Sequence, residues 1–173
     1  MTNFYDFKIE KIKNLSPEEI NLRKKNLDLF FQNGFPNKKI EDWKFTDLNS
    51  ILKKNFSNIT NKDFILDDKK FKMIEKFEHN FIYLLDGKLI SNSFDYEDKN
   101  YILIKEYNHK NEIKFNKQSS LTLLNNALAT GGFTLEVSKN YKFIKPLVIY
   151  NYFSKNLKES IINNKNLIIL NDE

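Results

Sequence analysis

The sequence predicts an α+β protein, with a helical N-terminal segment to about residue 79 and then a β-rich region carrying one inserted helix. Three observations predict it. "LSPEEI" is a helix start with its capping residues in place. Apolar residues behind it recur at helical spacing. From Phe133 onward the apolar residues gather in short runs separated by turns rich in Asn and Lys.

At the helix start Ser16 is the cap, Pro17 suits the first helical position and Glu19 closes a capping box, with Leu15 and Ile20 at the staple positions. Ile20, Leu27, Phe30 and Phe31 form the buried face, and Asn33-Gly34 followed by Pro36 ends the helix, predicted over 16–33. Thr46 is the expected cap of a second, shorter helix with Leu48, Ile51, Leu52 and Phe56 inward. A third candidate, capped at Asp67 or Asp68, carries Phe71, Ile74 and Phe77 along one side. "FIYLL", Asp86-Gly87 and "KLI" then read as strand, tight turn and strand, and "YILIKEY" (Tyr101 to Tyr107) as a further strand. Ser119 or Ser120 caps the inserted helix, with Leu121, Leu124 and Leu128 inward and the Gly131-Gly132 pair as its stop. "FTLEV", "PLVIYNYF", "ESII" and "NLIIL" complete the strands. Two regions follow, 1–79 and 80–173. The last strand runs straight into Asp172-Glu173, and natural proteins usually cover an apolar sheet edge. The expectation is therefore a polypeptide truncated at its C-terminus.

The chain of 173 residues has 40% hydrophobic residues, enough for a core, and 16 Phe with 8 Tyr make that core strongly aromatic. There is no cysteine, which excludes disulfides, thiolate nucleophiles, zinc fingers and cysteine-ligated iron–sulfur clusters. "MTNFYDFKIEKIKNL" lacks the continuous apolar stretch of a signal peptide, and no apolar run approaches the ~20 residues that span a bilayer. A cytoplasmic location is expected by default. The net charge of +5 and pI of about 9.1 raise a basic nucleic-acid-binding module as the alternative function. Against it, every basic residue except Arg23 is Lys, whereas bidentate phosphate and guanine contacts favour Arg. The lysines are also scattered, as on a solvated surface.

Chemistry is sparse. His79 and His109 are the only histidines, and no Asp/Glu cluster joins them into a metal site, so both read as surface residues. There is no G-x-S-x-G elbow. Asp95, Glu97 and Asp98 lack the glycine and spaced oxygens of a calcium loop and read as a solvated turn. "ATGGF" fits no nucleotide loop. Trp43 and Phe45 offer either an aromatic platform or a packing joint between two helices. Large aromatics favour the joint, with Glu41, Asp42 and Lys44 facing water. Asn14 and Asn58 begin glycosylation sequons that carry no meaning without a secretory signal. No catalytic, cofactor-binding or metal-ligating residue is assigned.

Two segments, "FFQNGFPNKKIEDWKFTDL" (30 to 48) and "SLTLLNNALATGGFTLEVSKNYKFIKPLVIYNYFS" (120 to 154), resemble the SufB/SufD family of iron–sulfur cluster assembly proteins. That family has a helix followed by "GLP…EDWKYT", then an "LN.AL..DG" passage, a strand, a "V.KGV" turn and a "KP…" strand. "FIYLLDGKLI" matches a strand–DG–strand element between them, and the tryptophan passage points to the SufD branch. Gly131 stands where Asp is common, and "SKNY" replaces the glycine turn. The resemblance implies a helical region leading into the opening coils of a right-handed parallel β-helix, whereas strand spacing alone equally allows a β-sandwich-like sheet. It implies a non-enzymatic scaffold subunit of a SufBCD-type complex, with a SufB-like paralogue and a SufC-like ATPase as partners. It implies no cofactor in this segment; the iron–sulfur cluster belongs to the assembled complex, and the residues that handle it lie beyond this chain. A carbohydrate-active β-helix enzyme is a third reading by fold analogy, but the late strands offer only Glu136 and Glu159 as carboxylates.

Overall fold

Helix α1 (Pro17–Asn33) begins where its capping residues dictate. The Ser16 hydroxyl accepts the Glu19 N–H at 3.2 Å, and the Glu19 carboxylate accepts the Ser16 N–H at 2.7 Å, so two orphan donors are satisfied at once. Gly34, with φ of 69°, closes the helix by donating its N–H to the Phe30 carbonyl. Helix α2 (Leu48–Asn55) is capped by Asp47 rather than Thr46, the carboxylate accepting the Ser50 N–H at 2.9 Å. Leu48 and Leu52 pack inward, whereas Ile51 and Phe56 stay exposed. Ser119 caps α3 (Ser120–Leu128) by accepting the Thr122 N–H.

The computed structural model describes residues 4–61, 72–108, 119–155, 157 and 159–171. The cap and first turn of the third predicted helix, with Asp67, Asp68 and Phe71, lie outside them; residues 72–79 contain no helix. Nine strands are described: β1 (Tyr5–Asp6), β2 (Ile59–Asn61), β3 (Asn80–Leu85), β4 (Lys88–Ser93), β5 (Ile102–Glu106), β6 (Gly131–Val137), β7 (Leu147–Tyr152), β8 (Ser160–Ile161) and β9 (Asn164–Leu170).

The chain forms two compact units that interleave in sequence. The first comprises Met1–Asp63, Ile113–Ala129 and Leu157–Asn163. Its small sheet, β1-β2-β8, is wholly parallel. Phe7, Leu27, Phe30, Phe35, Leu124 and Ala127 centre the core, where Phe30 meets Phe35 edge-on at 4.9 Å.

The second unit comprises Phe64–Glu112, Thr130–Asn156 and Asn164–Glu173. Its sheet is mixed, ordered β5-β6-β4-β3-β7 with β9 alongside β6. β3 pairs antiparallel with β4 and parallel with β7; β6 pairs antiparallel with β5 and parallel with β9. Both faces of β3 are covered. Ile82 and Leu84 join Phe133, Leu135 and Val137 in one core, and Tyr83 and Leu85 join Tyr150 in another.

The α+β class holds, but the expected β-helix does not form. A solenoid needs strands stacked parallel coil upon coil; here antiparallel pairs alternate with parallel ones and no sheet closes. The cause is local. Asp86 (φ 50°) and Gly87 (φ 81°) make a two-residue turn that folds the chain straight back on itself. The sandwich-like alternative fits in part, because β3 and β6 share a core, yet both belong to one hydrogen-bonded sheet.

The glycine pair is the second correction. Gly131 and Gly132 do not stop α3, which ends at Leu128 with Ala129 in extended backbone; they open β6. There the chain is crossed too closely for any side chain. A methyl group on Gly132 (φ 120°) would stand 1.7 Å from the Lys165 carbonyl oxygen, and one on Gly131 would stand 2.5 Å from that of Gly87. In "SKNY", Asn140 takes a left-handed conformation (φ 62°).

Candidate functional site

The most elaborate polar arrangement in the second unit grows from the turn after β4. Glu97, expected on a solvated turn, is only 8% exposed. Its carboxylate accepts the Asn80 side-chain amide at 2.7 Å, the Tyr141 hydroxyl at 2.8 Å and the Ile144 and Lys145 N–H groups at 3.0 Å. Burial alone would raise its pKa, but these donors outweigh burial and hold the carboxyl below its usual range. Tyr141 moves the other way, because burial and the bond to Glu97 both favour its neutral hydroxyl. The flanking acids behave as expected of a surface. Asp98 caps a single helical turn through the Asn100 N–H, and Asp95 pairs with Lys99 at 2.8 Å. Lys99 and Ser93 hold the Asp95 carboxyl low.

His79 stands just before β3 and is half-buried. Nδ1 lies 2.9 Å from the Phe77 carbonyl, which can only accept, so Nδ1 carries the proton. Nε2 then accepts the Tyr150 hydroxyl at 2.7 Å, and the Tyr150 oxygen accepts the Ile74 N–H at 3.0 Å. Both ring nitrogens are engaged, so the imidazole ties residues 74–79 to β7 instead of presenting a free base. A cleft of about 560 Å³ opens beside it, lined by Phe77, Phe81, Ser93, Asp95 and Tyr96 among others. On β3, Tyr83 stacks on Tyr152 with ring centroids 5.1 Å apart, and burial pushes the Tyr83 hydroxyl pKa well up. His109 lies outside the described residues.

In the first unit the notable charge is Arg23, the lone arginine, 3% exposed on α1. Its guanidinium donates to the Ala127 and Ala129 carbonyls, each at 2.8 Å. Helix α1 thereby caps the C-terminal end of α3, where orphan carbonyls carry partial negative charge. The tryptophan passage forms a helical turn, Glu41–Trp43, and only half of the predicted packing joint is found. Trp43 is half-buried, but Phe45 is 87% exposed, with the Lys44 ammonium 5.3 Å from its ring centre and bonded to Glu41. A burial rule for large aromatics could not find this residue, because it averages over positions.

Glu136 is bonded to Lys105 at 2.8 Å on the second unit, and Glu159 is an exposed left-handed residue of the first. Among the described residues no group of three or more His, Asp or Glu side chains is arranged to hold a metal ion, and no helix is long and apolar enough to cross a membrane.

Residues 1–94, just over half of the chain, match the family model described as the SufBD protein N-terminal region. The match spans α1, the tryptophan passage, α2 and the β3–β4 hairpin, while the segment from 120 to 154 lies beyond it. No curated protein matches the chain.

Proposed function

The chain belongs to the SufBD family, a family of iron–sulfur cluster assembly, and from that premise we propose that it is a SufD-like scaffold subunit, non-enzymatic by itself. The observation that carries this reading is the family match over residues 1–94, with the "EDWKFT" passage inside it. In this reading the chain acts in the cytoplasm beside a SufB-like paralogue and a SufC-like ATPase. The iron–sulfur cluster is cargo of the assembled complex, and no residue of this chain is assigned to it. What the chain's own residues supply is a frame. Arg23 fixes α1 to the end of α3, and Glu97 fixes three segments of the second unit around one carboxylate.

The fate of the basic residues weighs against nucleic acid. Arg23 is committed to two carbonyls, and Lys8, Lys24, Lys44, Lys99, Lys105 and Lys145 each pair with a carboxylate. Such lysines release fewer counterions to a phosphate backbone than free ones would. The test is isolation of the native protein under gentle conditions, followed by mass spectrometry of everything that travels with it. SufB-like and SufC-like polypeptides at fixed stoichiometry are the expected result. A chain that emerges without them, or with nucleic acid that salt removes, overturns the reading.

A further inference from the structure

The cleft beside His79, about 560 Å³ in volume, has the size of a small-molecule site. Three stretches of the second unit line it. Phe81 and Ser93, opposite each other on β3 and β4, line it from the sheet. Residues 73–79 line it before β3, and Asp95 and Tyr96 line it after β4. The lining is amphipathic. Met73, Ile74, Phe77 and Tyr96 are each at least 40% exposed, so an apolar ligand group would find uncovered surface there. Glu75, Glu78 and Asp95 outnumber Lys76, an acidic excess within a chain of net charge +5.

The protein itself shows which chemical group this lining takes. Lys145, just before β7, places its ammonium 2.7 Å from the Glu78 carboxylate and over the Tyr96 ring, 5.8 Å from its centre. A carboxylate and an aromatic face acting together are a recognised way of holding an organic cation. The bond to Glu78 raises the Lys145 pKa, as expected where pairing favours the charged form. The hold is nonetheless loose, because the two side chains keep 33% and 61% of their exposure. An incoming ammonium remakes both contacts while that of Lys145 returns to water. The backbone need not move, since the Lys145 N–H stays bonded to Glu97 and its carbonyl to Asn80. What tips the exchange is apolar area. A ligand that carries an apolar body with its ammonium also covers Met73, Ile74 and Phe77.

We propose that this cleft binds alkylammonium ligands with an apolar body, and that Lys145 occupies the ammonium position until such a ligand displaces it. The group can come from a free amine or from a lysine side chain beside an apolar residue. The inference is independent of the family role.

The test is a two-dimensional amide NMR titration of the full chain with 4-phenylbutylamine, at neutral pH and low salt. Saturable shifts at residues 74–79 and 93–96 are expected, and uncharged 4-phenylbutanol should produce none. Lys145→Met removes the internal competitor and tightens binding about threefold, whereas Glu78→Gln and Tyr96→Leu each weaken it about threefold. Lys105→Met, which breaks the pair with Glu136 on β6, leaves the affinity unchanged. Dispersed amide signals establish that each variant is folded, and Glu78→Gln, at an exposed carboxylate, carries the test if Tyr96→Leu is not. The acetylated and amidated dipeptide Phe-Lys separates the two sources. Tighter binding than the amine assigns the site to a polypeptide's lysine, and equal or weaker binding assigns it to a free amine. Absent or unsaturable shifts with the amine overturn the proposal, as does equal binding of the alcohol. So does a Lys145→Met affinity no better than the parent's, or a Glu78→Gln affinity no worse.

Discussion

Among the described residues each compact unit is fastened by one buried charge, Arg23 in the first and Glu97 in the second, and the two do opposite work on the backbone. Arg23 donates to carbonyls at a helix end more than a hundred positions away in sequence. Glu97 accepts from backbone and side-chain donors 17 to 48 positions away. In both, part of what compensates the charge is peptide dipoles, and the result is to hold sequence-distant segments in register. They differ in what they are sensitive to. A guanidinium keeps its charge at every accessible pH, whereas a carboxylate is lost in acid. The second unit thus contains a pH-dependent fastening that the first, through Arg23, does not.

The largest effect expected from breaking this contrast is that of Glu97→Gln. An amide cannot accept from every donor around it, and the change strands buried N–H groups at a cost of about 3–5 kcal/mol. Urea unfolding followed by Tyr fluorescence measures it; a loss below about 1 kcal/mol would show the network to be dispensable. The same carboxyl sets an acid response. Its folded pKa lies below the ordinary value of about 4.3, so its contribution is fully present above that pH and is lost as pH falls through the folded value. Melting temperature against pH should fall in that window for the parent and more shallowly for Glu97→Gln.

Arg23→Met comes next, at about 2–3 kcal/mol, because it leaves the Ala127 and Ala129 carbonyls short of donors at a buried helix end while keeping apolar bulk. Unlike Glu97→Gln, it should shift the whole melting curve without changing its acid slope. Arg23→Lys should recover only part of the loss, since one ammonium cannot reproduce the two-pronged donor. Ser16→Ala removes one cap and is expected to cost about 1 kcal/mol by thermal denaturation. Phe45→Ala is the smallest, within about 0.5 kcal/mol, because the ring is almost wholly in water. A larger loss for Phe45→Ala would mean that the ring is covered in solution.

Much of the first unit was legible from residues close in sequence. The capping box, the proline and the terminal glycine of α1 are physical instructions contained within single turns, and the helix occupies the residues they mark. Asp86-Gly87 likewise specified its turn, since few other dipeptides accept two consecutive positive φ angles. In the small sheet β8 was legible as "ESII", but β1 and β2 were not, because strands of two or three residues have no periodicity to detect.

The polar residues that matter most to the frame were the least legible. Arg23 looked like one more cation, Glu97 like one acid of a surface trio, and Gly131-Gly132 like a helix stop. Each is defined by a partner remote in sequence: the end of α3, the turn before β7, and the backbone of β9. Phe45 errs the other way, a large aromatic left 87% exposed.

The sequence by itself determined the start of α1, the hairpin turn, most of the apolar strands and the family. Those signals act over a few residues, where backbone sterics and local hydrogen bonds decide the outcome. Tertiary structure alone decided which charges are buried, which glycines are irreplaceable and which way each strand pairs. A desolvated charge or a crowded Cα depends on what the rest of the chain brings to it, and that is a property of the folded arrangement, not of the residue.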